Sequence, residues 1–478
     1  MTGINTAAIE TSGLEQRSRE VDLGQLLLWS LLAVVALSPL PLGSNRPIAW
    51  GATAIGVGAI TLWFGVMKLR REETLDIAWR SLALPAVLLG LLAVYLLIQV
   101  MPLGAFIDLG TVGRDGWTVE LRSLSLAPGA TAFMLLQTAT YALFFWLMLQ
   151  AGADPARRRL ALNVILAVIC AYAALGIVSL RLGDNILGIE KWAYKGSATA
   201  TFVNRNSFAT FVAFGTIIAT AQLMSAAMSR GRRDKGVTRT RLFIYGTALV
   251  LLLAAIVASN SRMGAFAAIC GMTLVAGIYL SRPRRARRRQ RWWTLPLFVA
   301  GAFVVVAVAL LYGGGLIGRL ASLDRSLEGR ALLYAQVGEL IALRPWTGIG
   351  GGAFELAFPL VHDAPLSLSA VWDKAHNTYL ALWAELGLVF GSIPILLCLG
   401  AAILLWRGLR RSAGGLRAQI VALGILLVGG VHSLVDFSLE IQANTLSFLA
   451  LLALGLAPLL RPVQTEPEPT PPPKEATD

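Results

Sequence analysis

Charge is scarce in this chain: only 14% of its 478 residues are Asp, Glu, Lys or Arg, 56% are hydrophobic, and mean hydropathy is +0.67. A soluble domain carries about a quarter charged residues, so that class is excluded and an integral membrane protein is implied. Cysteine is scarce too. Cys170, Cys270 and Cys398 all lie inside apolar runs, which excludes a disulfide framework and marks them as buried structural thiols. Strands of alternating polarity are missing, so a barrel is excluded. No His, Cys and Asp cluster has metal-ligand spacing, no serine nucleophile elbow occurs, and no cleavable signal pattern precedes the first apolar run.

What remains is a succession of apolar runs of about 18–24 residues, the length that crosses roughly 30 Å of hydrocarbon as a helix. They predict an all-α membrane protein with about twelve spans, near 23–43, 47–67, 81–101, 131–150, 160–180, 203–225, 241–260, 263–280, 292–312, 377–404, 416–436 and 443–460. The implied organisation is a polar N-terminal segment (1–22), nine spans (23–312), a large loop holding an amphipathic helix (313–376), three spans (377–460) and a disordered Pro-rich tail (461–478). About two-thirds of the 41 Lys and Arg fall on the side that carries both termini, although the other side has the longest loops, so both termini are expected in the cytoplasm. The same distribution disposes of nucleic-acid binding. The basic run from Arg282 to Arg291 is a short cytoplasmic connection, read as a topology signal in contact with anionic membrane lipids.

The outer basic residues need another explanation. Arg205 starts the sixth span, Arg262 sits in the tight outer turn between the seventh and eighth, and Arg330 and Arg344 flank a helical stretch of the large loop from about Leu327 to Leu343. On a helical wheel Leu333, Tyr334, Val337, Leu340 and Ile341 fall within roughly 80° of Arg330, while Glu328, Gln336 and Glu339 point elsewhere. Arg330 therefore belongs to an apolar face that lies on the membrane or packs on the bundle. A single outer arginine ordinarily snorkels to the interface. Several at helix ends on one face point instead to an anion site, since a guanidinium binds phosphate oxygens as a planar fork and keeps its charge.

One of only three histidines, His376, stands where the large loop meets the tenth span, followed by Asn377. It could cap that helix, or serve as a general base facing the same compartment as the arginines. Glu385, nine residues on, lies about half a turn away around the helix, which favours a structural polar contact. His432 and Asp436 are four apart, so they share a face near the outer end of the eleventh span; a charge-paired lock between spans is the favoured reading, a functional pair the other. His362, near Pro359 and Pro365, is expected to be solvated. The glycine-rich segment from Gly348 to Phe354 lies outside any strand–helix unit and reads as a flexible turn, not a nucleotide loop.

These residues, taken in order, carry a resemblance. The succession Thr201-Phe-Val-Asn-Arg-Asn-Ser-Phe-Ala209, Ser261-Arg-Met-Gly264, Arg330 leading to Pro345-Trp-Thr-Gly-Ile-Gly-Gly-Gly-Ala-Phe354, and His376-Asn-Thr-Tyr-Leu380 with Glu385 and Gly387 resembles the O-antigen ligase and polymerase superfamily. The closing His432-Ser-Leu-Val-Asp-Phe437 is similar to a late-span motif of many members. Order and spacing agree from about residue 195 to 440, and Met263 stands where many members have a second small residue. The resemblance implies a bacterial inner-membrane, GT-C-like glycosyltransferase with its large loop and active site on the periplasmic side. Its donor would be an undecaprenyl-pyrophosphate-linked glycan and its acceptor lipid A core or a growing glycan. By that resemblance Arg205 and Arg262, with Arg330 a weaker match, bind the donor pyrophosphate and His376 activates the acceptor hydroxyl; Asn377, Glu385, His432 and Asp436 support them, with no metal and no cofactor. A transporter or flippase of a lipid-linked saccharide fits twelve spans equally well, but no internal repeat is found.

Overall fold

The computed structural model describes residues 22–114, 117–228, 235–281, 316–369, 371–411 and 416–461. Its helices are α1 (Leu23–Leu37), α2 (Pro47–Arg70), α3 (Ala83–Val100), α4 (Pro128–Ala151), α5 (Pro155–Arg181), α6 (Arg205–Met228), α7 (Lys235–Ala258), α8 (Arg262–Ser281), α9 (Leu316–Leu343), the single turn α10 (Phe354–Ala357), α11 (Thr378–Arg411), α12 (Arg417–Ser433) and α13 (Gln442–Leu460). Starts are set by local chemistry. Proline occupies the first helical position of α2, α4 and α5, where its missing N–H leaves no bond unmade, and Asp22 and Asp154 accept from the free N–H groups of α1 and α5.

Among the described residues nine helices are long and apolar enough to cross a membrane, and two shorter apolar ones, α1 and α12, accompany them. This is a multi-pass membrane protein. Eleven of the twelve expected segments are helical; the remaining one, 292–312, lies outside the described residues. Two boundaries differ for physical reasons. α1 ends at Leu37 rather than running to 43 because Pro39 and Pro41 follow, and α12 ends at Ser433, after which the chain turns. Two small antiparallel hairpins, β1 (Thr111–Arg114) with β2 (Trp117–Glu120) and β3 (Asn185–Ile186) with β4 (Ile189–Glu190), decorate the loops of this otherwise helical fold.

The bundle is centred on α6, which is buried nearly all round, with Phe208, Phe211 and Phe214 fully enclosed. α5, α7, α8, α12 and α13 surround it. A second, separate apolar core belongs to the large loop. Leu333, Val337 and Leu340 of α9 bury their side chains against Phe354, Phe358, Val361, Leu366 and the start of α11. The apolar face expected around Arg330 is therefore real, and it packs on protein. Gln336 departs from the wheel: it is buried, and its amide exchanges hydrogen bonds with the backbone of Asp363 (2.7 and 3.4 Å).

The glycine-rich segment is not a loose turn. α11 is broken at Gly387 (φ 73°, ψ 168°), which strips carbonyls of their usual helical partners. The segment supplies replacements: Ile349 N–H donates to the Ala384 carbonyl (2.9 Å), Gly350 N–H to the Glu385 carbonyl (3.0 Å), and Leu388 N–H returns a bond to Pro345 (2.8 Å). Gln99 completes the joint, donating to Thr347 and accepting from Gly351 N–H. Backbone meets backbone here because side chains are absent. A Cβ on Gly387 would lie 2.2 Å from the Trp346 oxygen, and one on Gly348 would lie 2.3 Å from the Glu385 oxygen. Gly387→Ala places a side chain in a backbone region reserved for glycine, and it should lose at least ~1–3 kcal/mol of stability before the clash is added. Gly400→Ala, in the same helix with open space around it, should be neutral or slightly stabilising. Thermal unfolding of both in detergent checks this; equal melting temperatures would mean that the joint bears no strain.

Candidate functional site

Three helix starts are built alike. Asn204 caps α6, its side chain accepting from Asn206 N–H (2.7 Å), and Arg205 follows it. Ser261 caps α8, accepting from Gly264 N–H (3.2 Å), and Arg262 follows. Asn377 caps α11, accepting from Tyr379 and Leu380 N–H (3.0 and 3.1 Å), and His376 precedes it with a left-handed backbone (φ 50°). Asn377, not His376, is thus the cap. Each start brings the positive end of its helix dipole beside Arg205, Arg262 or His376.

The starts are registered by a relay of side chains. The Ser261 hydroxyl donates to the Asn206 side-chain oxygen (2.9 Å), and the Asn206 amide donates to Asp436. The other Asp436 oxygen accepts from Phe437 N–H (2.7 Å) and the Ser438 hydroxyl (3.3 Å). The carbonyls of the same turn hold the loop side: Asp436 accepts from Thr378, and Leu434 from the Asn377 amide (2.9 Å) and the Tyr334 hydroxyl (3.3 Å). The first turns of α6, α8 and α11 and the end of α12 therefore adjoin. Close approach of α6 and α8 rests on Gly264, where a Cβ would meet that of Ala209 at 2.5 Å; Met263 beside it does not prevent this.

His376 lies against the edge of Phe437 (5.0 Å between centroids) and near Trp372 (6.4 Å), and its carbonyl accepts from Tyr334 (2.8 Å). Its Nδ1 is buried without a hydrogen-bond partner among the described residues. Burial pulls its pKa below the ordinary histidine value; Asp436 opposes, Arg330 reinforces, and Asp373 and Glu440 oppose. Arg330, half-buried on α9, also acts on the phenol of Tyr334, which burial raises. Arg205 is half-buried over the ring of Tyr194 (5.5 Å to the centroid), and Arg262 is exposed on the first turn of α8. Beneath these groups Lys374 pairs with Glu440 (3.0 Å). Burial works against its charge, but Glu440, Glu385 and Asp373 prevail and raise it above an ordinary lysine.

Residues 247–393 match the model of the O-antigen ligase family. The chain carries an O-antigen ligase family domain. Comparison with curated proteins finds no match to the chain. The O-antigen ligase domain runs from within α7 to the middle of α11 and includes Arg262, Arg330, His376, Asn377 and Glu385. Arg205, His432 and Asp436 lie outside it in sequence; Asp436, and Asn206 next to Arg205, reach it through the relay.

Several expectations are corrected by geometry. His432 and Asp436 do not pair. α12 stops at Ser433, so the four-residue spacing no longer puts them on one helical face, and Asp436 bonds across to α6 instead. His432 is buried on α12, and neither ring nitrogen has a hydrogen-bond partner among the described residues. His362 is only half exposed rather than freely solvated: its ring stacks on Phe358 (5.3 Å, 29°) with Nε2 buried. Glu385 needs no such correction: it is buried and makes a polar contact of the structural kind, accepting from Phe354 N–H (3.3 Å). Arg344 holds the Leu124 carbonyl (2.9 Å), away from the other arginines. Asn206, Tyr194, Asp373 and the Lys374–Glu440 pair escaped sequence reasoning. Asn206 adjoins Arg205 in the quoted motif, a signal that was there to use; the others have none.

With only three histidines, the titration of His376 is readable by NMR on isotope-labelled protein, assigned by His376→Gln. The expected midpoint is below 6.5. Asp436→Asn removes a charge that favours the imidazolium and should lower it further; Arg330→Gln removes one that disfavours it and should raise it. A wild-type midpoint at or above 6.5 would show that burial does not dominate.

Proposed function

We propose that the chain is an inverting glycosyltransferase of bacterial surface-polysaccharide biosynthesis, moving a glycan from an undecaprenyl-pyrophosphate donor to an acceptor hydroxyl at the periplasmic face of the inner membrane. The observation that carries this reading is the meeting of three capped helix starts bearing Arg205, Arg262 and His376, with Arg330 near enough to act on the charge of the same histidine. A site so rich in guanidinium groups and helix N-termini suits a pyrophosphate, and a buried imidazole held neutral near pH 7 suits a base.

In this mechanism His376 accepts the proton of the acceptor hydroxyl as its oxygen attacks the anomeric carbon. The bond from that carbon to the pyrophosphate oxygen breaks, and undecaprenyl pyrophosphate leaves with the electron pair. Arg205, Arg262 and Arg330 offset the charge that builds on the leaving group, an interaction strengthened where water is partly excluded. Attack from the face opposite the leaving group inverts the anomeric configuration. Asp436 holds the helix starts in register and balances the cations around His376. Asn377 fixes the start of α11 against the turn after α12, and His432 supports the site from within the bundle.

Single-turnover transfer from a synthetic donor tests the base. His376→Ala should lower the chemical rate by roughly 10²–10⁴-fold, and His376→Gln, which keeps hydrogen bonding but takes no proton at neutral pH, should be equally crippled. Near-normal transfer by a folded His376→Gln would remove His376 from the mechanism. Arg205→Lys and Arg262→Lys keep charge but lose the planar fork, and each should impair turnover without loss of folding. In a deletion strain, full-length polymer left on the carrier lipid indicates a ligase and single repeats a polymerase, whereas glycan flipping by purified protein in liposomes without a new glycosidic bond would favour a transporter.

Sidedness is tested separately. A cysteine placed within 355–370, in a chain whose three native cysteines are replaced, should react with an impermeant thiol reagent supplied to the periplasm. Reaction only after the inner membrane is opened would reverse the topology and the mechanism with it.

A further inference from the structure

The connection between α5 and α6 takes no part in the mechanism above, yet it is built with unusual care. Lys191 is fully buried, its ammonium held by the Asp184 carboxylate and donating to the Ser197 carbonyl (2.7 Å). The second Asp184 oxygen accepts from Gly196 N–H (2.6 Å). This clasp is fastened to the turn before α8: Asn260 donates to the Gly196 carbonyl (3.1 Å) and the Ser197 hydroxyl oxygen (3.2 Å), and Ala198 N–H donates to Ala258 (2.8 Å). A buried ion pair is worth its desolvation only when further hydrogen bonds complete it, as they do here. The clasp fixes the chain between its two ends, and that is where Tyr194 sits, in a left-handed backbone conformation (φ 55°).

The ring of Tyr194 lies under the guanidinium of Arg205. Its hydroxyl lies within the field of Asp436, Arg205, Asp373 and Arg330, which places it among the groups of the candidate site. An arginine on a long flexible stem finds a planar orientation by stacking, since the electron-rich face of the ring attracts the cation and restricts its tilt.

We propose that Tyr194 is a positioning residue for Arg205, holding its guanidinium plane over the ring in the orientation that receives the donor pyrophosphate, while the Lys191–Asp184 clasp holds the ring. The inference rests on the glycosyltransferase reading. A donor pyrophosphate is already charged before reaction, so a misaligned fork weakens binding first and the chemical step less.

The experiment measures donor binding and single-turnover transfer with synthetic undecaprenyl-pyrophosphate sugar, together with melting temperature. Tyr194→Phe keeps the ring face and should stay within about twofold of wild type. Tyr194→Leu should raise the donor Kd by roughly tenfold with kcat changed less than the Kd and an unchanged melting temperature. Tyr194→Asn, which tolerates the left-handed backbone, repeats the test should the leucine variant fold poorly. On an Arg205→Lys background, the Tyr194→Leu change should add little, because the planar cation it serves is gone. A wild-type Kd for both ringless variants, a Tyr194→Phe as weak as Tyr194→Leu, or full additivity with Arg205→Lys would each overturn the role. A wild-type protein that neither binds nor consumes the donor would overturn the glycosyltransferase reading and this inference with it; normal wild-type binding with unaffected variants would overturn this inference alone.

Discussion

A carboxylate buried as deeply as that of Asp436 has to be supplied with hydrogen bonds, and where those bonds come from decides how the outer end of the bundle is assembled. Two come from its own turn, at Phe437 and Ser438, and one crosses to Asn206 at the start of α6. Asn206 is in turn oriented by the Ser261 hydroxyl at the start of α8. The carbonyls that the turn leaves free after α12 ends are taken by Asn377, Thr378 and Tyr334 from the loop side. One buried charge thus sets the positions of elements more than 200 residues apart in the chain. Breaking the relay at Asn206 would leave the carboxylate short of a donor and uncouple it from the Ser261 hydroxyl at the start of α8, while the packing of α6 on α8 at Gly264 remains.

The opposite wall of the site is held by shape rather than charge. The large loop has its own apolar core, and a loop with a separate core would be free to drift from the bundle unless something tied it down. The joint between the glycine-rich segment and the break at Gly387 helps to do this with backbone bonds, and the side chains of Glu385 and Gln99 take up polar groups that such a break exposes. Non-helical backbone at this depth is tolerated only where protein satisfies it. His376 stands eleven residues before Gly387, and the helix that follows it is pinned at both ends of its first segment, by Asn377 at the start and by Gly387 at the break.

Sequence periodicity made the helices legible because each apolar run is long, uninterrupted and flanked by charge or proline. It also exposed the face of α9 that carries Arg330, since Leu333, Val337 and Leu340 repeat at helical spacing and are all buried. Periodicity failed where composition does not change at a boundary. Leu434 and Val435 are as apolar as the helix before them, so nothing in the pattern marks the stop at Ser433, and the His432–Asp436 pairing was inferred from a helix that had already ended. Gly387, although part of the motif that carries the resemblance, gave no sign of a break: a glycine within an apolar span is ordinary, and only the carbonyl of Trp346 pressing against it shows why it is there. Tyr194 lies in an irregular connection, where no repeat relates it to Arg205 eleven positions on.

The balance of charge around His376 has a consequence for the proposed chemistry. Burial depresses the imidazole, and Arg330 adds to that effect while Asp436, Asp373 and Glu440 resist it. A base so depressed is available at neutral pH but is a weak one. A pyrophosphate seated on the arginines would cancel part of the positive field and add negative charge of its own, so the pKa of His376 would rise when the donor binds. Base strength would then appear with the substrate that needs it. An acceptor hydroxyl would then meet a stronger base with the donor bound than water meets without it. The cations would thus act twice, holding the leaving group and, through the charge they exchange with it, setting when His376 is strong enough to take a proton.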